Sequence, residues 1–104
     1  MAKEADLEEV LEAVGDVLDL IARHDGEGPL TARIRRSCSM LAADDLDGLR
    51  SLLSETTGGM GSLNDYGFMS DVEDTIRHRK NTLTSEAADK CRIALRSRGI
   101  EPWR

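Results

Sequence analysis

Apolar residues near the start of the chain recur with the period of an α-helix, and this repeat limits the folds that the chain can adopt. This repeat predicts an amphipathic α-helix over residues 5–24, because spacings of three and four positions place side chains on one face of a helix with 3.6 residues per turn. Its apolar positions are Leu7, Val10, Leu11, Val14, Val17, Leu18 and Ile21. Only three residues in 104 are aromatic, so the core must consist of aliphatic side chains. That composition favours helices.

Further helical segments come after the first one, and together they predict an all-α fold: a compact bundle of four to five helices with a Gly-rich loop between the third and the later helices. Acidic side chains near the start of a helix and basic ones near its end match the helix dipole in several of these segments. The predicted segments are residues 31–42, with Thr31 as N-cap; residues 46–55, with Asp44 or Asp45 as N-cap; residues 69–81; and residues 85–98, ended by Gly99. For residues 69–81 a long extended excursion also fits.

The length and composition predict one soluble domain spanning residues 1–104. No apolar run is long enough for a transmembrane helix, and the first nine residues do not have the pattern of a signal peptide. We therefore expect a cytoplasmic protein that does not act at a membrane. The two cysteines, Cys38 and Cys91, fall on predicted inward faces, where they are expected as free thiols.

The helical period also predicts which large side chains are buried. Each of them lies on the apolar face of its predicted helix. They are Leu11, Leu18, Leu49, Leu52 and Leu95.

A glycine-rich segment, residues 56–68 with the sequence TTGGMGSLNDYGF, is the first candidate site. It lacks the Gly-Lys-Ser/Thr ending of a phosphate loop and the preceding strand of a dinucleotide fingerprint. The candidate binding residues are Gly58, Gly59, Met60, Gly61, Ser62, Leu63, Asn64, Asp65, Tyr66 and Phe68.

Two interpretations of this loop stay open. In the structural one, the glycines form a tight turn, Met60 and Leu63 pack into the core, and Asn64 or Asp65 caps the next segment of the chain. In that case Gly59→Ala or Gly61→Ala lowers thermal stability. In the other one, backbone amides cradle an anion that Ser62, Asn64 and Asp65 orient.

Catalytic and metal-binding patterns are missing from the sequence. Neither His24 nor His78 has a second histidine or cysteine at helical spacing, and no histidine is placed by sequence to activate Ser62. We therefore expect no enzyme activity, no metal and no cofactor. The overall negative charge also disfavours nucleic acid, although the basic cluster at residues 77–80 could touch an anion locally.

Negative charge is concentrated in the first predicted helix. Residues 1–19 hold seven acidic side chains against one basic side chain, and the chain as a whole has a net charge of -6. Such a concentration is usually a solvated helix face, but it is also what a partner with a basic surface would select by electrostatic steering. We assign Glu8, Glu9 and Glu12 to this acidic face and expect a protein partner.

The block from Leu52 to Phe68 resembles a segment of small uncharacterised bacterial proteins that form a domain of unknown function. Their shared feature is a helix followed by Gly-Gly-Met-Gly-Ser, an aromatic residue or Leu, and Asn-Asp, which here reads Gly58 to Asp65. Some small acidic proteins of this kind look like immunity proteins encoded beside polymorphic toxins. The present sequence departs from the pattern after Asp65, where a charged continuation replaces a shorter apolar one.

The residues and the resemblance together predict a protein-binding module, of the immunity or inhibitor type, that blocks a basic-surfaced bacterial toxin. The alternative is a protein that binds or transforms a small anionic ligand with the Gly-rich loop 58–65. A third class is a homo-oligomer in which a second copy covers an exposed apolar stripe.

Overall fold

Four α-helices form the regular structure of this chain in a computed structural model: α1 (Ala2–Asp25), α2 (Pro29–Ala42), α3 (Leu46–Thr57) and α4 (Asp74–Arg96). The structure describes residues 2–101, with side chains from residue 5 onwards. The predicted all-α bundle is confirmed with four helices, and no strand is present within the described range. None of the helices in that range combines the length and the apolar character needed to cross a bilayer.

The core lies where α1 packs on α4, α2 packs on α3, and α3 packs on α4. Four of the five leucines predicted as core residues are buried there, namely Leu18, Leu49, Leu52 and Leu95. The prediction for Leu11 was wrong in degree, because this side chain is only partly buried against the edge of the core. The loop after α3 also contributes a core residue, Leu63.

α2 and α3 form a helical hairpin with a short connection at residues 43–45. Gly48 allows the two helices to approach closely, since a Cβ atom there would lie 2.6 Å from the Ser37 carbonyl oxygen and 2.8 Å from the Leu41 amide nitrogen. A hydrogen bond of 2.9 Å joins the hydroxyls of Ser37 and Ser51 across the same interface. Gly48 lowers the intrinsic stability of α3 as an isolated helix, but the close packing of α3 on α2 requires it.

The start of α2 differs from the prediction, because Gly28 and not Thr31 is the N-cap. Pro29 occupies the first helical position, where its fixed φ favours helix and its missing N–H is not needed. Thr31 instead accepts a hydrogen bond of 2.8 Å from the Gly28 amide through its hydroxyl. At the start of α3 the predicted cap is confirmed, since the Asp45 carboxylate accepts from the Asp47 amide at 3.0 Å.

The two helices predicted over residues 69–81 and 85–98 were wrong as separate elements, because α4 is one continuous helix. Residues 69–73 precede it without regular structure. The junction at residues 81–84 contains weak helix formers, but no Gly or Pro interrupts it. Lys80 and Thr84 are both buried on the packed side of α4, and the Thr84 hydroxyl donates to the Lys80 carbonyl at 2.7 Å. Packing overrides the local propensity here.

The buried face of α1 generates a stability prediction. Leu18→Ala should lower the free energy of unfolding by about 2–5 kcal/mol, because it leaves a cavity in a fully packed core. Leu11→Ala is the matched control and should lower it by clearly less, since Leu11 is already partly exposed in the native state. Urea denaturation followed by circular dichroism measures both values. Equal losses for the two variants would contradict the assignment of the buried face.

Candidate functional site

The segment between α3 and α4, residues 58–73, is here called the connecting loop. It has no regular secondary structure, yet side chains of all four helices hold it in place. Three charged side chains from α1, α3 and α4 contact its backbone, and Arg33 of α2 adds a fourth contact. The three are Asp25, Glu55 and Lys80.

Glu55, in the last turns of α3, fixes the glycine-rich part of the loop. Its carboxylate receives two hydrogen bonds from the Arg33 guanidinium, at 2.7 and 3.1 Å, and one from the Leu63 amide at 3.1 Å. Arg33 also donates to the Gly61 carbonyl oxygen at 2.8 Å. The Glu55 backbone carbonyl accepts from the Asn64 amide at 2.8 Å. These bonds direct Leu63 into the core.

The backbone amides of the glycine-rich part already donate within the protein. The Gly61 amide donates to the Asp65 carboxylate at 3.3 Å, and the Leu63 amide donates to Glu55. The amides of residues 62, 64, 65 and 66 donate to backbone carbonyls at 2.8–3.2 Å. Six successive amides, from residue 61 to residue 66, are therefore engaged in shaping the turn.

Asp25, the last residue of α1, fixes the distal part of the loop. Its carboxylate accepts hydrogen bonds from the Tyr66 hydroxyl, from the Met69 amide at 2.8 Å, and from the Ser70 amide and hydroxyl at 3.0 and 2.5 Å. Desolvation opposes ionisation of this carboxylate, but the bonds from Ser70, Tyr66 and Met69 outweigh it. The pKa of Asp25 consequently lies well below its ordinary value.

An aromatic group surrounds this anchor. The Phe68 ring contacts the rings of His24 and Tyr66 edge to face, with centroids 5.8 Å apart in each pair. Partial burial and the neighbouring Asp25 carboxylate raise the pKa of Tyr66 to about 12. Tyr66 is therefore a neutral hydrogen-bond donor at physiological pH.

The loop side chains fall into two groups. Leu63 is fully buried and Tyr66 and Phe68 are half-buried, so these three lie on the side of the loop that packs against the core. The prediction that Met60 packs into the core was wrong, because its side chain is 98% exposed. Met69, which was not among the candidate binding residues, is 88% exposed.

The polar loop residues complete the turn. The Ser62 hydroxyl donates to the Gly59 carbonyl at 2.6 Å, and the Asn64 side-chain amide donates to the Gly58 carbonyl at 3.0 Å. Together with the Asp65 contact to Gly61, these bonds support the structural interpretation of the loop. Of its details, the placement of Leu63 is correct and that of Met60 is not. The predicted cap by Asn64 or Asp65 was also wrong, because both side chains bond back to the glycines and Glu73 is the N-cap of α4.

The acidic face, Glu8, Glu9 and Glu12, is exposed on α1. Asp16 and Asp19 continue it, and the five positions fall within an arc of about 100° around the helix axis. Glu9 lies 3.7 Å from the Lys90 ammonium of α4. Glu9, Glu12 and Asp16 line a shallow groove of about 220 Å³ between α1 and α4.

The structure does not bring the acidic face and the connecting loop together. Glu12 precedes Asp25 by thirteen positions on the same helix (25 minus 12), roughly 20 Å along its axis, and Asp19, at the end of the acidic face, precedes it by six (25 minus 19), roughly 9 Å. The predicted site residues therefore form two separate surfaces.

Sequence reasoning missed Asp25 and Glu55 as the anchors of the loop. Both carry negative charge at the C-terminal end of a helix, where the helix dipole disfavours it. An acid in this unfavourable position is the signal that could have identified them, because it indicates that donors from elsewhere stabilise the carboxylate.

The cysteines are free, as predicted. Burial raises the pKa of Cys91 to about 12, so its thiol is protonated and unreactive at neutral pH. In the part of the chain that the structure describes, no group of three or more His, Cys, Asp or Glu side chains could hold a metal ion.

Comparison of the chain with protein-family models, with curated proteins and with solved structures finds no match. The likeness of the 58–65 segment to small bacterial proteins of unknown function stays a prediction.

The turn geometry distinguishes two neighbouring glycines. Gly61 has a φ of +85°, so Gly61→Ala should destabilise the fold by about 1–2 kcal/mol. That corresponds to a decrease in the melting temperature of roughly 4–8 °C per kcal/mol in a domain of this size. Gly59→Ala is the control and should change it little, because Gly59 has an ordinary φ and open space around its Cβ position. The expectation that Gly59→Ala lowers stability is thereby revised. Differential scanning calorimetry measures both, and an equal decrease would contradict this turn.

The low pKa of Asp25 predicts a pH dependence of stability. An acid with a lower pKa in the folded state stabilises the fold above its unfolded pKa, about 3.9, and loses this effect as the pH falls towards the folded value. Asp25→Asn should therefore lower stability at pH 7 and reduce the loss of stability between about pH 5 and pH 3. Asp16→Asn, on the exposed side of α1, is the control and should leave both nearly unchanged. Urea titrations across this pH range provide the test, and a slope like that of the parent protein in Asp25→Asn would refute the assigned role.

Proposed function

We propose that this chain is a protein-binding module that covers a basic surface of a partner protein, as immunity and inhibitor proteins do. The main observation in support of the proposal is that five carboxylates lie on one side of α1. It is supported by the fixed geometry of the connecting loop, which presents two exposed methionines.

The acidic face is largely uncompensated. Glu9 and Asp19 each have one ion pair, with Lys90 at 3.7 Å and with Arg35 at 3.5 Å. Within the described residues, Glu8, Glu12 and Asp16 have no ion pair. Like charges on one helix face repel one another, so folding alone does not favour this arrangement. A basic partner surface would relieve the repulsion and would be steered towards this face.

The connecting loop supplies a second contact surface of different chemistry. Met60 and Met69 expose almost their entire side chains, whereas the backbone that carries them is held by Glu55 and Asp25. Flexible thioether side chains adapt to varied apolar surfaces. A backbone that is already ordered loses little entropy on binding, which favours affinity. We therefore assign Met60 and Met69 as apolar anchors, whereas Leu63, one of the candidate binding residues, is fully buried and does not reach this surface.

The alternative function, anion binding by the amides of the 58–65 loop, has less support. The amides of residues 61–66 donate to acceptors within the protein, and an anion at these positions would have to displace those bonds. A second copy of the chain as partner is disfavoured at the acidic face, because two such faces repel each other.

The test is the association rate with the product of the adjacent gene, measured by stopped flow at low and at physiological ionic strength. The triple variant Glu8→Gln, Glu9→Gln, Glu12→Gln should slow association roughly tenfold at low salt and flatten the salt dependence. Stability should change by only about 0–1 kcal/mol per site, because these charges are on the surface.

The control variant removes the same charge elsewhere: Asp47→Asn, Asp71→Asn and Glu101→Gln, all at exposed positions. It should retain most of the association rate. Equal rates for the two triple variants would show that only net charge matters and would remove the acidic face from the interface. A loss of affinity in Met60→Ala with an unchanged triple variant would leave the connecting loop as the binding surface.

A further inference from the structure

A buried lysine is the feature that the proposed function does not use. The Lys80 side chain is 2% exposed, although lysine is almost never fully buried in proteins unless it is paired. Among residues 2–101, its ammonium group donates one hydrogen bond, to the Asn64 carbonyl oxygen at 3.1 Å. An ammonium group has three donors, so this bond satisfies only part of its capacity.

Protein carboxylates do not neutralise Lys80. Within the described residues, no carboxylate oxygen lies within 4.0 Å of its ammonium nitrogen. Burial lowers the pKa of Lys80, and the Asp65 carboxylate opposes this effect from beyond ion-pair distance. A buried cation without a close counterion is costly, so an anion from solution would be favoured beside it.

A cavity of about 180 Å³ adjoins this lysine, between residues 66–68 of the connecting loop and the first turns of α4. Arg77 lines it together with Lys80, and the two lie three residues apart on α4, a spacing that places both on the same side of the helix. The Arg77 side chain is 44% exposed, and its guanidinium lies 4.0 Å from the Asp74 carboxylate, so its contact to that acid is weak. Both basic side chains can therefore contribute charge to one occupant.

The other side chains that line the cavity are uncharged. Tyr66 and Phe68 provide aromatic surface, and Asn81 provides a side-chain amide. The volume exceeds that of a single water, which occupies about 30 Å³ of liquid, by several times. The cavity thus combines two cations, one amide and two aromatic rings in a space that suits a small organic molecule.

We propose that this cavity binds a small organic anion, whose carboxylate or phosphate contacts Arg77 and Lys80 and whose apolar part packs against Tyr66 and Phe68. The site is independent of the acidic face and lies beyond the proposed function in partner binding. It also differs from the backbone amides of residues 61–66, which donate to acceptors within the protein.

Isothermal titration calorimetry with phenyl phosphate, benzoate and inorganic phosphate tests the proposal on the full chain. Phenyl phosphate or benzoate should bind saturably and more tightly than inorganic phosphate. Arg77→Gln should weaken binding at least tenfold, because it removes one of the two cations. Arg79→Gln is the matched control: it removes the same charge two residues away, at an exposed position outside the cavity.

Absence of saturable binding for all three anions would overturn the proposal, and so would equal weakening in Arg77→Gln and Arg79→Gln. Tighter binding of inorganic phosphate than of phenyl phosphate would overturn the role of the aromatic walls. As a second measurement, phenyl phosphate should raise the melting temperature of the parent protein but not that of Lys80→Met. If Lys80→Met does not fold, the comparison of Arg77→Gln with Arg79→Gln still decides the question.

Discussion

Two carboxylates at helix ends, Asp25 and Glu55, hold the connecting loop, and much of the molecule outside the helical core depends on them. Each carboxylate accepts hydrogen bonding from backbone amides of the loop. In a flexible loop these amides would donate to water instead. Charge-assisted bonds of this kind are about twice as strong as neutral ones. Because the loop is fixed at both sides, Leu63 can enter the core while Met60 and Met69 point outwards. Tyr66 and Phe68, which line the cavity beside Lys80, belong to the same fixed loop.

The distribution of charge separates the surface into regions with different chemistry. The first half of α1 carries exposed carboxylates with few counterions, whereas the start of α4 carries Arg77 and the buried Lys80. The two surfaces proposed as sites therefore lie on a helix face and beneath the connecting loop. The proposed partner contact and the proposed anion site occupy such regions and do not require each other.

The hairpin of α2 and α3 shows how packing explains residues that local preference disfavours. Gly48 is unfavourable in an isolated helix, yet a side chain there would collide with the α2 backbone. The same reasoning applies to Thr84 and Lys80 in α4, where burial keeps one helix intact across a segment of weak helix formers. In each case, packing against other parts of the fold explains a residue that helix propensity alone would disfavour.

Local sequence patterns were enough to predict the helical class, the buried face of α1, a cap of α3 by Asp44 or Asp45, and the exposure of the acidic face; the structure identifies Asp45 as that cap. These features result from spacing along one helix, which is a local property. Three features became evident only from tertiary contacts: residues 74–96 form one helix, Met60 is exposed while Leu63 is buried, and Asp25, Glu55 and Lys80 contact the connecting loop. These features depend on contacts between residues far apart in the chain. The loop itself has no periodic pattern from which such contacts could be inferred, and its conformation depends on the donors and acceptors that the helix ends present to it.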